Sequence, residues 1–271
     1  MSQQQIRVTE TRHKPTWIII VLGLFYAGLA LLLILLPGGT VLDRLRWLNS
    51  GICAQILTHS FYAGDERLPL CARNTGIYLG LMVTLISTYA RGKGQAQKLP
   101  PLPIIIICTC GFLALAVDGL NSLALDLHMT HLYQPDNLLR LGTGLLTGTG
   151  LVLLALPILN QLFWHEYNEQ HIVASWREFA PLALALLFCF LIVLSQNTLI
   201  LYPIALLSTA GVLTALSGVN LIFIIAFSKR SETLQHSYQL LAFFSIALIC
   251  AIAEMLLLAQ LKFSLLQALG M

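Results

Sequence analysis

Charge is what this sequence has least of. Only 10% of its 271 residues are Asp, Glu, Lys or Arg, while 57% are hydrophobic and the mean hydropathy is +0.81. A soluble domain carries about a quarter charged residues, so most of this surface is expected to face lipid. Other absences narrow the chemistry. There is no phosphate-cradling Gly-Lys-Ser/Thr, no Gly-x-Ser-x-Gly elbow and no His-Glu-x-x-His pair, and so no catalytic motif. No basic stripe interleaved with aromatics points to nucleic acid. The seven histidines (His13, His59, His128, His131, His165, His171 and His236) all fall in predicted loops or tails. A buried haem or chlorophyll usually wants a histidine within a span, which disfavours both. His128 and His131 are spaced to share a metal, although a wet interfacial pair is the commoner reading.

What is present in quantity is long apolar runs. About twenty such residues cross the hydrocarbon core as a helix, and only helices or closed barrels satisfy the backbone there. The reading is an all-α polytopic membrane helix bundle of about seven transmembrane helices plus a short interfacial helix. Residues 1–16 read as a polar cytoplasmic tail and residues 17–271 as a single transmembrane domain. The spans are predicted at Trp17–Leu36, Arg73–Tyr89, 103–127, Asn137–Leu159, Phe179–Leu194, Leu199–Phe227 and Leu240–Leu261. The first is longer than a signal-peptide core and lacks a small-residue cleavage pattern, so it is expected to be retained.

Lys and Arg in short loops set the orientation. With the N-terminus in the cytoplasm, Arg7, Arg12, Lys14, Arg91, Lys93, Lys98, Arg177, Lys229 and Arg230 lie inside. Arg44, Arg46, Arg67, Arg73, Arg140 and Lys262 then lie outside. This predicts a protein of the cell (cytoplasmic) membrane with the N-terminus in and the C-terminus out. The connection from Pro37 to Ala72 falls outside, and in it Val41, Leu45, Leu48, Ile52 and Ile56 recur at helical spacing. They predict an amphipathic helix on or tucked into the outer interface.

Ionisable groups inside spans are costly and are functional candidates by default. Asp118 and Glu254 sit in the outer halves of spans three and seven, and Arg73 and Arg140 open spans two and four. Asn121 follows Asp118 at i+3, and Asn137 precedes Arg140 at i+3, so each pair shares a helix face. Arg73, Asp118, Asn121, Asn137, Arg140 and Glu254 are therefore expected to form a ligand-binding pocket that opens outward. The competing reading is an ion pair that holds helices in register and binds nothing.

Spans two and four echo one another. Arg73 is followed by Thr75-Gly76 and Gly80, and Arg140 by Thr143-Gly144 and Gly148. Glycines four apart clear a stripe for close helix approach, so Gly76, Gly80, Gly144 and Gly148 are expected to pack helices. A parallel repeat of spans one–two and three–four follows as an expectation.

The same stretches carry a family likeness. Cys53-Ala54-Gln55, then Pro69-Leu70-Cys71-Ala72-Arg73-Asn74-Thr75-Gly76-Ile77-Tyr78-Leu79-Gly80, resembles the predicted membrane proteins grouped as domain of unknown function 2085. Asp118-Gly119, Asn137, Arg140 and Gly142 to Gly148 resemble its second block. The likeness covers about residues 45–150, leaves out spans five to seven, and implies a membrane fold without an activity. The family pattern reads Cys-His-Gln and Cys-Ala-Arg-Cys, a set suited to zinc or another thiophilic metal. Here Ala54 and Asn74 stand where the histidine and the last cysteine would be. Zinc at Cys53 and Cys71 is therefore disfavoured, and no cofactor is predicted. A Cys53–Cys71 disulfide on the outer side is expected instead, with free thiols the alternative if the orientation is reversed. Cys108, Cys110, Cys189 and Cys250 lie in apolar runs and read as small packing residues.

Three functional classes remain. The first binds or transports a small polar or anionic solute or a lipid head group. The second is an accessory subunit whose partners are other proteins of a membrane complex as well as the bilayer. The third is a membrane enzyme with thiol or metal chemistry, weakened by the missing His and Cys. A transporter needs a break in its helices, and Gly142 or Pro157 in span four is where one is expected.

Overall fold

Once water is excluded, an apolar chain pairs its backbone within each segment, and the long runs here become helices. The computed structural model describes residues 28, 31, 34–228, 234 and 237–269. The tail 1–16 and most of the predicted first span Trp17–Leu36 lie outside the described residues. The described helices are α1 Val41–Asn49, α2 Ala72–Ala90, α3 Leu102–Asp126, α4 Asn137–Phe163, α5 Trp176–Leu194, α6 Thr198–Phe227 and α7 Ser237–Ala268. Five of these, α3 to α7, are long and apolar enough to cross a membrane. Large apolar side chains such as Leu113, Leu184, Phe188 and Leu257 are exposed on them, as expected where lipid is the solvent.

α2 solves a different problem. It carries Arg73, Asn74 and six hydroxyl side chains, and it touches α4, α5 and α6. A helix walled in by other helices can carry such groups if each finds a partner. Thr88 accordingly donates to its own Thr84 carbonyl at 2.8 Å, and the Thr84 hydroxyl meets Thr149 of α4 at 3.2 Å.

The α2–α4 contact is built from glycine. A Cβ on Gly144 would lie 2.5 Å from the Arg73 carbonyl oxygen, and one on Gly76 would strike the Leu141 carbonyl. Likewise Gly80 faces the Leu145 backbone and Gly148 faces the Ile77 backbone. The pattern is reciprocal, because an offset of 68 residues carries Gly76 onto Gly144, Gly80 onto Gly148 and Ile77 onto Leu145. The two helices thus pack side by side and parallel around a local two-fold axis. The arginines break this symmetry. The offset carries Arg73 onto Leu141, one residue past Arg140, which turns the side chain by about 100°.

α1 is shorter than the helical spacing over Val41–Ile56 predicts. It begins at a capping box, with the Thr40 hydroxyl accepting from the Asp43 backbone at 3.1 Å and the Asp43 carboxylate accepting from the Thr40 N–H at 2.9 Å. The Thr40 hydroxyl, at 2.8 Å, and the Thr40 N–H both donate to the Asp43 carboxylate and hold it down at about 2. The helix ends at Asn49, and just past it Gly51 lies against Leu258 and Ala259 of α7, leaving no room for a side chain. Its inner face is Leu42, Leu45, Leu48 and Asn49, buried against α6 and α7; Ile52 lies past its end, and Ile56 is exposed. The Asn49 amide donates to Thr209 of α6 at 2.9 Å.

At the opposite end of the bundle, the α2–α3 connection is held by two amides. Asn160 donates to the carbonyls of Gly94 and Ala96 and accepts from the Trp164 indole. Gln97 donates to the Glu166 carbonyl and accepts from the Asn168 N–H. α4 runs unbroken through both Gly142 and Pro157, so the break expected there is not formed.

Gly148→Ala should cost about 1–3 kcal/mol, the usual range for overpacking, read as a lower unfolding midpoint in detergent. Gly218→Ala is the control, because a Cβ there meets nothing within 4 Å. It should be neutral or slightly stabilising.

Candidate functional site

The glycine contact sets the N-terminal turns of α2 and α4 next to one another, and α3 packs beside α4 with its C-terminal turns at the same level. Five of the six expected pocket residues meet there. Asp118 of α3 is 1% exposed and takes Arg73 in a near-bidentate grip, with Nη2 at 2.5 Å and Nε at 3.2 Å from one carboxylate oxygen. Arg73 Nη2 also donates to the Asp118 carbonyl at 3.1 Å and to Ser122 Oγ at 3.0 Å. Arg140, 4% exposed, donates to the same Ser122 oxygen at 3.3 Å and to Asn137 Oδ1 at 2.9 Å. Its Nε is buried without a partner, and no carboxylate lies within 4 Å of it among the described residues.

Charge and hydrogen bonding are therefore unequal at the two arginines. Arg73 has a carboxylate. Arg140 has a hydroxyl and an amide, both neutral, and an unsatisfied buried donor costs about 1–3 kcal/mol. Each arginine also stands in the first turn of its helix, where the macrodipole already presents about half a positive charge and disfavours cations.

Two connections cover the cluster. The α3–α4 loop is pinned by Asn121, whose side-chain oxygen accepts from the Leu132 N–H at 2.6 Å and whose amide donates to the Tyr133 carbonyl at 2.8 Å. The Tyr133 hydroxyl donates to the second Asp118 oxygen at 3.1 Å. From the other side, the short 3-10 turn Leu57–His59 is tied by Asn137 donating to the Thr58 carbonyl at 3.0 Å. His59 lies 3.5 Å from Asp126. Burial, and then the Arg140 charge, press the His59 imidazolium below its ordinary range.

Sequence reasoning missed Ser122, Tyr133 and the His59–Asp126 pair. Ser122 follows Asp118 at i+4 and so shares its face, a signal present in the sequence. The loop contacts depend on how two connections fold back, for which helical periodicity carries no signal. Glu254 is the reverse case. It is exposed on α7, its carboxylate accepts from Asn220 of α6 at 3.2 Å, and it does not join the arginines. Its expected place in the pocket is thus corrected: the i,i+4 face of α7 that bears it turns away from α2 and α4.

Cys53 and Cys71 are neighbours, and both are free thiols rather than the expected disulfide. The Cys71 N–H donates to Cys53 Sγ at 3.3 Å. The facing Cys71 thiol draws Cys53 down to about 6, aided by backbone N–H groups of Cys71 and Gln55 and by the Asn74 side chain. A zinc ion does not fit these residues. Two sulfurs are the whole ligand set, no group of three His, Cys, Asp or Glu forms among the described residues, and N–H donors already point at Cys53 Sγ.

A membrane helix bundle whose distinctive feature is a paired-arginine cluster over a glycine-packed helix pair is the class these features define. Residues 53–154, which span both arginines, Asp118 and the glycine stripe, match the family model described as predicted membrane protein DUF2085. An uncharacterised protein, MJ1492, of Methanocaldococcus jannaschii is 30% identical over 117 residues, covering 43% of this chain and 69% of the relative. The chain belongs to the DUF2085 family. No solved structure matches it.

Asp118→Asn should leave Arg73 and Arg140 facing each other without a carboxylate and cost about 3–5 kcal/mol, the range for breaking a buried pair. Arg73→Met together with Asp118→Asn should cost less than the sum of the single changes in a double-mutant cycle of unfolding midpoints. For His59 the sign is set by its depressed value: the unfolded chain takes up the proton first. Stability should fall as pH drops below the ordinary histidine range near 6.5, and level off below the folded value. His59→Gln should flatten that part of the profile in a thermal-unfolding series.

Proposed function

We propose that this protein recognises a small anionic group, a phosphate or carboxylate borne by a solute or a lipid head group, at the Arg73–Arg140 cluster. The observation that carries the reading is Arg140, a residue 4% exposed with an unpartnered Nε and, among the described residues, no carboxylate within 4 Å. Two parallel helix N-termini add positive potential in the same place, and such termini favour anions. An oxyanion next to Arg140 would satisfy its Nε and balance the second positive charge. Asp118 is then the fixed counter-ion of Arg73, and Ser122, Asn121 and Asn137 hold the surrounding side chains and loops. The covering loops and Tyr133 would have to shift for a ligand to enter.

In this reading α2 and the run Trp17–Leu36 join the five apolar helices to give seven spans. The basic-residue bias supports a location in the cell membrane with the N-terminus inside, which would put the cluster on the outer side beneath its covering loops. Cysteine-accessibility labelling at position 95 is expected to report from the inside; outside reactivity would reverse the orientation. A second reading, a subunit of a larger membrane assembly, is favoured by one observation. Glu254 and Asn220 are a polar pair beside which the exposed Leu257 and Phe223 stand one turn further along their helices, where lipid alone is a poor neighbour.

Thermal unfolding in nanodiscs tests the first reading. Inorganic phosphate at about a hundred times its Kd should add about 2.7 kcal/mol of stability by mass action. Arg140→Gln should abolish the response and Arg140→Lys should weaken it. A response to phosphatidic acid in the nanodisc, but not to free phosphate, identifies a lipid head group as the source. If phosphate, acetate and phosphatidic acid all leave the wild-type midpoint unmoved, the anion reading fails and the assembly reading takes its place.

A further inference from the structure

The anion reading makes no use of the two thiols beside it. Cys71 is the N-cap of α2, and Cys53 lies in the turn after α1, so two separate segments must be held still for their sulfurs to face. Both are held. Gln55, at φ 57°, donates one amide to the carbonyls of Arg46 and Pro69 at 2.7 and 2.8 Å, which stitches the two cysteine-bearing segments together. Arg67 donates to the Gln55 carbonyl at 2.8 Å. Behind the turn, the Cys53 N–H donates to the Asn49 carbonyl at 3.0 Å, and Lys262 of α7 donates to the Ser50 carbonyl at 3.0 Å.

The two sulfurs are not equivalent. Cys53 is 3% exposed and receives N–H donors, an arrangement that favours its thiolate, while Cys71 is half-buried and nearer the surface. The remaining cysteines lie within helices α3, α5 and α7. We infer that Cys53 and Cys71 form a peroxide-responsive dithiol site, with Cys53 the nucleophile and Cys71 the resolving thiol. The Cys53 thiolate attacks one oxygen of hydrogen peroxide; the O–O bond breaks, hydroxide leaves, and Cys53 becomes a sulfenic acid. The Cys71 sulfur then attacks the Cys53 sulfur. Its proton and the sulfenic hydroxyl leave as water, and the S–S bond forms. One peroxide is reduced and two thiols are oxidised. A small oxidant is required by the burial of Cys53, and thiolate character selects it over the other cysteines. The covalent tie would fasten the turn after α1 to the first turn of α2, two residues from Arg73. The proposal does not depend on anion binding.

The reduced full-length protein in nanodiscs, treated with one equivalent of hydrogen peroxide and then digested with trypsin, tests it. Cuts after Arg46, Arg67 and Arg73 place Cys53 in peptide 47–67 and Cys71 in peptide 68–73. The expected product is these two peptides joined and separable by dithiothreitol, with reactive thiols in denaturant falling from six to four per chain. Cys71→Ser should trap a dimedone adduct on Cys53, while Cys53→Ser should give none on Cys71. The proposal is overturned if both peptides stay unlinked, or if Cys71 is the residue that dimedone traps. Should either variant fail to fold, the wild-type peptide map decides.

Discussion

Everything at the arginine end rests on the backbone contact between α2 and α4. Four glycines remove the side chains that would hold these helices apart, and the contact is reciprocal about a local two-fold axis. Because the helices are parallel, their N-termini arrive together and their macrodipoles add rather than cancel. Close packing thus creates an electropositive end before any charged side chain is considered. Placing Arg73 and Arg140 in those same first turns raises the potential further. A fold selected only for stability would put carboxylates there.

One carboxylate partly compensates, and how it does so bears on the proposed anion reading. Asp118 comes from the C-terminal half of α3, a helix whose own carbonyl end faces the same region, so sequence position and dipole both bring negative charge to it. Its two oxygens accept from Arg73 and from Tyr133, and neither lies within 4 Å of Arg140. Arg140 stands at the end of the cluster with only neutral partners among the described residues. If the cluster served purely as a structural tie, one arginine and one aspartate would suffice. A second buried guanidinium costs several kcal/mol of desolvation unless something repays it. That asymmetry is the ground on which the anion reading is proposed over the tie.

The sequence made part of this legible and hid the rest for identifiable reasons. The helices predicted at spans two to seven were readable, five of them long and apolar enough to cross a membrane, because apolar runs and their polar breaks survive any tertiary arrangement, and Asn137 and Leu194 mark helix ends in both sequence and structure. Arg73, Asp118, Asn121, Asn137 and Arg140 were readable because charge within an apolar run is costly wherever the helix points. Glu254 satisfied the same rule and still faces elsewhere. Depth is encoded in residue number, but azimuth is encoded in packing, and spans five to seven carry no glycine stripe that fixes it. The one-residue slip between the two arginines was readable, because Gly76 follows Arg73 by three and Gly144 follows Arg140 by four, but only the packing says that the glycines and not the arginines set the register.

The loops carry the remaining information, and they tie the site to the rest of the molecule. Asn137 belongs to the arginine cluster through Arg140 and to the preceding connection through the Thr58 carbonyl. That connection contains Gln55, which joins it to α1 and to the segment before α2. α1 in turn is buried against α6 and α7, with Lys262 holding the turn that follows it. The helices outside the family-matched segment 53–154 therefore support the turn that carries Cys53 and, through it, the cover over the arginines. A disturbance on the α6–α7 face that bears Glu254 has a continuous route of direct contacts to that cover. A partner docked there and an anion at Arg140 would then act on the same turn, so the two functional readings need not exclude one another.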